Sequence, residues 1–185
     1  WGDLDVDFTP PFARRTYDDL FREHARLDPQ DHEGIVKLAK KLGLDPNGKH
    51  PDVVKSEVFE ETVEDSLTGP IFVIDYPSSI CPLTKRKTGQ PQVAERFELY
   101  IASLELANAF SELTDAAEQR RRFEEAARDR SRNNCPVYPL SEPFLAALSR
   151  MPPSAGIALG VDRLAMIFAE KSEIDAVVAF PPELL

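Results

Sequence analysis

The stretch ERFELYIASLELANAFSELTD, residues 95–115, organises the rest of this chain. Phe97, Leu99 and Ile101 alternate with more polar neighbours, which is the periodicity of a β-strand. The small residues at 102–103 favour a tight connection into a second strand. In that second strand, residues 106, 108, 110 and 112 fall at intervals of two, so we expect their side chains to share one face. The stretch therefore predicts a β-hairpin.

Two acidic residues are expected to meet across this hairpin. If the turn lies at residues 101–103, Glu98 and Glu105 become near neighbours, and like charges so placed destabilise paired strands. A cation between them would remove that cost, and oxygen ligands favour magnesium held together with substrate phosphates. The alternative is that both carboxylates face water.

A third acid, Glu112, lies next to an amide and an aromatic ring in the same strand. Asn108, Phe110 and Glu112 would present an amide, a ring and a carboxylate on one face. Such a set could hold a small zwitterion that carries an additional positive charge.

Composition restricts the class of protein. The chain has 185 residues, 42% of them hydrophobic and 29% charged, which is typical of a globular domain. Its net charge of −10 does not suit tight nucleic-acid binding, although another domain could hold such a substrate. Cys81 and Cys135 lack metal-ligand spacing and indicate a reducing compartment. Without a membrane-spanning run or visible signal peptide, we expect a cytoplasmic protein; the chain opens on Trp1, which indicates a non-native start.

The remaining segments predict an α+β fold, in which an antiparallel sheet carries the ligand groups and helices pack on its other face. Strands are expected at residues 4–8 and 71–75. Helices are expected after a cap at Thr16, at 31–44, at 53–67, from Asp115 to about 130, and after Ser141. His24, His32 and His50 lie in polar surroundings and are predicted to be surface residues rather than metal ligands. The basic run at 85–87 is interpreted as a solvated loop that could also attract phosphates.

The segment GIALGVDRLAMIF, residues 156–168, predicts a buried strand at 157–161 that turns directly into a helix with Leu164, Ile167 and Phe168 facing inward. Arg163 falls in the first helical turn, where a cation opposes the helix dipole. An anion such as phosphate would offset that cost, and so would a nearby acidic side chain. Gly160 would permit close approach of a flat ligand or of packed backbone.

These blocks, together with the terminal VVAFP, resemble the C-terminal half of class II lysyl-tRNA synthetase catalytic domains. GVDR at 160–163 is similar to the third signature motif of class II synthetases, and the likeness runs from about residue 12 to residue 181. The resemblance implies that residues 1–185 are the C-terminal portion of such a domain, with a partial class II core. It also implies a homodimeric full-length parent.

The resemblance implies roles for individual residues. Glu98 and Glu105 would hold Mg²⁺ and ATP, and Arg163, with Gly160 beside it, would contact ATP. Lysine would be bound by Asn108, Phe110, Glu112 and Ala158, with Glu112 facing its side-chain ammonium. The implied reaction is attack of a lysine-type carboxylate on the α-phosphate of ATP, which gives an aminoacyl-adenylate and pyrophosphate.

Several positions depart from the lysyl-tRNA synthetase pattern. Nothing matches the family's dimer-forming first motif or its arginine-bearing second motif. Alanine occupies positions 158 and 109, where glycine is usual. Ala158, LELAN at 104–108 and VYPL at 137–140 look more like the paralogue that attaches (R)-β-lysine to elongation factor P, whereas PLTKR at 82–86 looks more like the true synthetases. The acceptor is therefore tRNA(Lys) or elongation factor P, with the latter slightly favoured.

An alternative from another functional class is an inactive synthetase-like fragment that acts as a binding or regulatory module. The joint presence of the acidic, amide and arginine residues favours the ligase for the parent protein. The missing upstream motifs favour the binding module for these 185 residues.

Overall fold

A computed structural model describes residues 1–2, 4–132 and 134–180. Within these residues the chain forms a sheet of five strands with the order β1-β2-β5-β6-β7, and a separate two-stranded ribbon, β3-β4. The strands are β1 (Ala13–Thr16), β2 (Ile71–Ile74), β3 (Arg86–Lys87), β4 (Gln90–Ala94), β5 (Arg96–Ile101), β6 (Leu104–Ser111) and β7 (Ala155–Leu159). The helices are α1 (Tyr17–His24), α2 (His32–Lys41), α3 (Pro51–Thr62), α4 (Ala116–Arg132), α5 (Glu142–Leu148) and α6 (Val161–Ala169).

The α+β class and the flanking helices are confirmed. Apart from the parallel β1–β2 pair, all neighbouring strands run antiparallel. The caps also agree with the sequence: Thr16 Oγ1 accepts from Asp19 N at 3.1 Å, and Asp115 Oδ1 accepts from Glu118 N at 3.1 Å.

The hairpin turn has the predicted position, but its register differs from the expected one. Ala102 and Ser103 both have positive φ, at 52° and 63°, as a two-residue hairpin loop requires. A β-bulge between Leu99 and Tyr100 then shifts the ladder, so that Tyr100 pairs with Glu105 and Glu98 pairs with Asn108. Glu98 and Glu105 are therefore not directly opposite, but Glu105 pairs with Tyr100, two residues from Glu98 along β5.

The bulge also changes which side chains share a face. Leu106 packs with Ile101 and with Leu164 of α6, on the side opposite to Glu98. Asn108, Phe110 and Glu112 stay on the side of Glu98, because residues directly opposite in a ladder point the same way. Intervals of two predicted one face for all four residues, and the extra residue at the bulge removes Leu106 from it.

Helices cover both faces of the sheet, whereas the sequence predicted helices only on the face away from the ligand groups. The larger core joins α1, α2 and α3 to Val73 and Tyr100, and these two residues lie on the side of Glu98. Helix α6 covers the opposite side through Leu164 and Ile167. The result is a cleft in which α3 overhangs β5, while β6 and β7 remain open.

Three smaller expectations are wrong. The strand expected to be buried at 157–161 is β7, Ala155–Leu159, and all of its residues are exposed because it is the edge strand of the sheet. Residues 4–9 form no strand, and the first strand begins at Ala13, where β2 supplies a hydrogen-bonding partner. Phe168, expected to face inward, is 83% exposed, because no described residue covers its side of α6.

Candidate functional site

A buried carboxylate, Glu98, lies at the centre of the sheet and accepts hydrogen bonds from four side chains. The donors to Oε2 are Tyr76 Oη at 2.5 Å and Tyr100 Oη at 3.0 Å. The donors to Oε1 are Asn108 Nδ2 at 2.9 Å and the guanidinium of Arg96, which also forms a salt bridge with it. Only 5% of Glu98 is exposed, so this negative charge is stabilised by its partners rather than by water.

The groups around Glu98 have shifted proton affinities. Burial is the largest single influence on Arg96 and by itself would lower the pKa of the guanidinium, but the charge of Glu98, together with contributions from Cys81 and Tyr76, raises this pKa above its ordinary value. Burial raises the pKa of the Tyr100 phenol, and the charges of Glu98 and Glu64 raise it further. Both phenols therefore remain protonated and serve as donors, since the Tyr76 pKa is raised by burial and by Glu98 in the same way.

Glu105 and Arg163 form a second, more exposed pair. Arg163 Nη1 lies 3.6 Å from Glu105 Oε2 and also donates to the backbone carbonyl of Glu105. A cation in the first turn of α6 opposes the helix dipole, and here the acidic side chain of Glu105 compensates that cost. The sequence had left two possibilities open, a phosphate or a nearby acid. A Cβ added at Gly160 would meet Arg163 Cδ at 3.4 Å, an ordinary contact, so Gly160 and the arginine are in direct proximity.

The two acids predicted to hold magnesium, Glu98 and Glu105, line one cavity. It has a volume of about 330 Å³, and its other charged lining residues are Glu60, Glu64 and Arg96. Four carboxylates thus surround one guanidinium, an arrangement that favours a cationic ligand or a cation-bound one. Arg163 lies outside the lining and reaches the cavity through its contact with Glu105. We refer to this space as the carboxylate cavity.

The residues predicted to bind an amino acid continue the same face onto the open strands. Ala158 of β7 lies opposite Asn108, and Gly156 lies opposite Phe110. Asn108 Oδ1 is buried without a hydrogen-bond partner, so this oxygen could accept from a ligand. A Cβ added at Gly156 would lie 3.1 Å from Glu112 Oε1, which shows that the Glu112 carboxylate occupies the space left by glycine.

Sequence reasoning identified Asn108 as a site residue but missed the other three donors that hold Glu98. Arg96 and Tyr100 alternate with Glu98 along β5, so the period of two could have placed them on its face. Tyr76 and Glu64 lie in other segments and carried no signal, because only packing of α3 and β2 against β5 brings them close.

The two carboxylates differ in how well they suit a magnesium ion. Both oxygens of Glu98 are engaged by donors, and its charge is neutralised by Arg96, so Glu98 does not fit as a direct ligand in this arrangement. Glu105 is partly exposed and has a single cationic neighbour, so it fits. Among the described residues, no group of three or more histidine, cysteine, aspartate or glutamate side chains could hold a metal ion.

We expect Glu64 to make stability depend on pH. Burial raises the pKa of Glu64 above its ordinary value of 4.5, a hydrogen bond from Tyr100 opposes this, and neighbouring carboxylates add to it. The stability supplied by the protonated form is present below pH 4.5 and is lost as pH rises through the raised pKa. Relative to the unchanged protein, Glu64→Gln should therefore gain free energy of unfolding between about pH 4 and about pH 7 in urea titrations.

Glu23 provides a control of opposite sign. A hydrogen bond and the charge of Arg15 lower its pKa below 4.5, so its contribution to stability is present above pH 4.5 and lost as pH falls through the lowered value. The relative stability of Glu23→Gln should thus fall as pH rises in this lower range. A stability difference for Glu64→Gln that does not change with pH would contradict the assignment.

No helix among the described residues has both the length and the apolar content needed to cross a membrane.

Comparison with known proteins places this geometry in a family. The family model for class II tRNA synthetases (D, K and N) matches residues 3–183. The lysine–tRNA ligase of Clostridium perfringens is 41% identical over 185 residues, which cover 96% of this chain and 37% of that relative. The lysine–tRNA ligase of Aquifex aeolicus is 39% identical over 193 residues, covering 98% of this chain and 31% of that protein. A lysine–tRNA ligase of Dehalococcoides mccartyi is 40% identical over 188 residues, covering 98% of this chain and 38% of its own length.

The chain thus spans about a third of the length of the relatives it matches, and nearly all of the chain is matched. With a family model over almost every residue and relatives near 40% identity, the chain belongs to the class II tRNA synthetase family.

Proposed function

We propose that this chain is the C-terminal portion of a catalytic domain that activates lysine, or β-lysine, with ATP. The carboxylate of the amino acid would attack the α-phosphate of ATP, giving an aminoacyl-adenylate and releasing pyrophosphate. The observation that carries the proposal is the juxtaposition of Glu98 and Glu105 in one cavity, with Asn108, Phe110 and Glu112 on the same face. Family membership supports it independently.

The amino acid would be bound on the open side of the face. In the proposal Glu112 meets the side-chain ammonium, Asn108 offers its unpartnered oxygen, and Phe110 lines the wall. Ala158 lies directly opposite Asn108, so its methyl group narrows the pocket at that point. One methyl group is worth about 1–3 kcal/mol of discrimination between similar substrates, which makes Ala158 the proposed selector between lysine and β-lysine.

ATP would be bound where Arg163 and Glu105 now contact each other. Arg163 is exposed at the start of α6, so its guanidinium can turn from Glu105 to a phosphate without crossing the core. Gly160 beside it leaves the backbone accessible to the nucleotide. Magnesium would be held by Glu105 and the ATP phosphates, and would neutralise phosphate charge. Glu98 was predicted as a second ligand, but both of its oxygens are engaged by donors, so in this proposal it does not contact the metal. No nucleophilic side chain is required, because positioning and electrostatic stabilisation supply the catalysis.

Glu98 has a further role in the proposal as the group that orders the cavity. Its four donors join β5, β6 and the segment after β2 in one arrangement, and Asn108 is one of them. The amino-acid site is therefore coupled to the buried carboxylate through a single amide.

The acceptor would be tRNA(Lys) or elongation factor P. The similar ligases named above support the tRNA, whereas Ala158 and the residues at 104–108 and 137–140 support elongation factor P. The parent protein would be a homodimer.

A second candidate is a binding or regulatory module without activity. It is favoured by the short coverage of the relatives, between 31% and 38% of their length, and by the full engagement of Glu98. In that case the carboxylate cavity would bind an amino acid or a nucleotide without catalysing a reaction.

ATP–pyrophosphate exchange tests the proposal. We would compare the 185-residue chain with a version extended by the upstream part of the Clostridium perfringens ligase, using lysine and (R)-β-lysine. Exchange by the extended version with either amino acid is expected, and absence of exchange with both would overturn the ligase assignment. Elongation factor P and tRNA(Lys), added as acceptors, would then decide the transfer step.

Glu112→Gln in the extended version should lower exchange with lysine about 10- to 100-fold, since a charge-assisted hydrogen bond contributes about 1.5–3 kcal/mol. Glu124→Gln, on the exposed side of α4, is the matched control and should change exchange less than about twofold. If the two variants had equal rates of ATP–pyrophosphate exchange, Glu112 would not be part of the amino-acid site.

A further inference from the structure

A second groove lies on the other side of α3. It has a volume of about 810 Å³ and shares no lining residue with the carboxylate cavity. Its walls are the segment at 48–53, the turn at 78–82 and the C-terminal half of α4. We call it the basic groove, because Lys49, Arg86, Arg122, Arg130 and Arg132 line it.

The charge of the basic groove is opposite to that of the whole chain. Only Glu125 and Asp129 supply carboxylates to its lining, so the lining carries an excess of three positive charges. The chain as a whole has a net charge of −10. A local positive site in a negative protein directs anions to this place rather than over the whole surface.

Not all of these cations are available to a ligand. Arg122 donates to Glu118 at 2.8 Å and to backbone carbonyls, and Lys49 Nζ lies 2.5 Å from Glu57 Oε1. Arg86 is different, because its Nε is buried with no hydrogen-bond partner and its Nη2 is 3.7 Å from the Glu118 carboxylate. Arg86 is therefore a cation whose hydrogen-bonding capacity the described residues do not satisfy.

An exposed aromatic ring lies beside the groove. The guanidinium of Arg130 lies 5.0 Å from the ring centre of Tyr138, and its Nε donates to Pro136 O at 2.6 Å. Tyr138 is 69% exposed, so one face of its ring is open to a planar group. Arginine pairs with phosphate in a fork, and an aromatic ring stacks on bases, so both parts of a nucleotide have a partner here.

Arg132 completes the set at the groove's outer edge. Its Nη1 is 3.1 Å from Asp129 Oδ1, but the pair is exposed and one helical turn apart, so it contributes little stability and can exchange for a phosphate contact.

We propose that the basic groove binds nucleotide phosphates, either of a free nucleotide or of an RNA strand, with Arg86, Arg130 and Arg132 as the phosphate contacts and Tyr138 as the stacking surface. The groove volume is that of a site for one small ligand. An acidic polypeptide is the competing occupant, but it would leave the exposed ring of Tyr138 without a planar partner.

Binding of a fluorescein-labelled oligouridylate of about ten nucleotides to the 185-residue chain tests the proposal by fluorescence anisotropy. The triple variant Arg86→Gln, Arg130→Gln, Arg132→Gln should weaken binding at least about tenfold between about 50 and 200 mM salt. Because each single-strand phosphate contact adds about 0.7 to the salt slope, the slope should fall by about 2.

The matched control removes three positive charges elsewhere. Arg22→Gln, Lys37→Gln and Lys40→Gln lie on α1 and α2, outside the groove lining, and should change affinity less than about twofold. The triple variant could lose binding because it fails to fold, so a variant that gains binding is also needed. Asp129→Asn removes an acid from the groove lining and should tighten binding of the oligonucleotide.

Competition with uridine diphosphate and with a poly-glutamate peptide distinguishes the occupants. If uridine diphosphate displaces the oligonucleotide, the groove is a site for a free nucleotide. If uridine diphosphate does not displace it, the groove is a site for an RNA strand. The proposal is overturned if the oligonucleotide does not bind, if the triple variant binds like the matched control, or if poly-glutamate competes as well as RNA.

Discussion

Replacing Glu98 with alanine should lower the free energy of unfolding by about 3–5 kcal/mol, because it leaves a buried guanidinium without its counter-charge. Arg96 and Glu98 form a salt bridge whose side chains are 20% and 6% exposed. The substitution also removes the acceptor for the hydroxyl of Tyr76 and for the amide of Asn108. Urea denaturation monitored by circular dichroism measures the change.

Glu95→Ala is the matched control, since Glu95 precedes the same strand and pairs with Lys85 at 3.5 Å near the surface. We expect it to cost less than about 1 kcal/mol. A double-mutant cycle with Arg96→Met should recover part of the loss, because removing both partners leaves no unpaired charge. Equal costs for Glu98→Ala and Glu95→Ala would show that the buried network contributes nothing beyond an ordinary surface pair.

The second large effect is expected at Arg122, where replacement by methionine should lower the free energy of unfolding by about 2–4 kcal/mol. The side chain is 7% exposed, and it donates to the carbonyl oxygens of Thr84 at 2.8 Å, Cys81 at 3.3 Å and Pro82 at 3.4 Å. Methionine fills a similar volume but cannot donate to these carbonyls; Cys81 O keeps Thr84 N as a donor and Pro82 O keeps Gln119 Nε2, whereas Thr84 O loses its 2.8 Å bond. The attachment of the loop at 81–84 to α4 would then be weakened, which hydrogen exchange of that loop can report.

Arg121→Met is the matched control, because the neighbouring arginine contacts the same carboxylate of Glu118 but is 53% exposed. A surface ion pair one helical turn apart contributes about 0.3–0.5 kcal/mol. If both variants lost the same stability, the backbone carbonyls would not be the reason for the effect at Arg122.

Arg122 illustrates what a helical pattern does not reveal. Glu118 with Arg122 and Glu124 with Arg128 are spaced four residues apart, a pattern typical of a helix with a solvated outer surface, and the helix is present at Ala116–Arg132. Yet Arg122 is buried, and its partners come from a loop about 40 residues earlier in the chain. A periodic pattern identifies the element, but it does not report which distant segment packs against it.

The residues of the carboxylate cavity and its face also fall into two groups, those whose position the sequence predicts and those whose position it does not. The acidic, amide and aromatic residues of β6 could be predicted to share a face, and Asn108, Phe110 and Glu112 do so. The pairing partner of Glu98 could not, because the bulge leaves Leu106 as an extra residue in β6 and places Asn108, rather than Ala107, opposite Glu98. Alternation holds within a strand, whereas a bulge depends on the partner strand and on the packing around it.

The amino-acid order alone was therefore enough to predict the local features of this protein. These are the helix caps, the strand periodicity, the turn at 102–103 and the residues that define the family, all of which depend on residues close together in the chain. The burial of Glu98 and its bond from Tyr76 could not be predicted in this way, because Tyr76 and α3 reach it only when β2, β5 and the helices have packed together. Burial then changes the energetics, since a carboxylate removed from water must be satisfied by whatever donors the fold brings to it. Two of those donors, Tyr76 and Asn108, come from other segments of the chain, and no spacing within β5 encodes them.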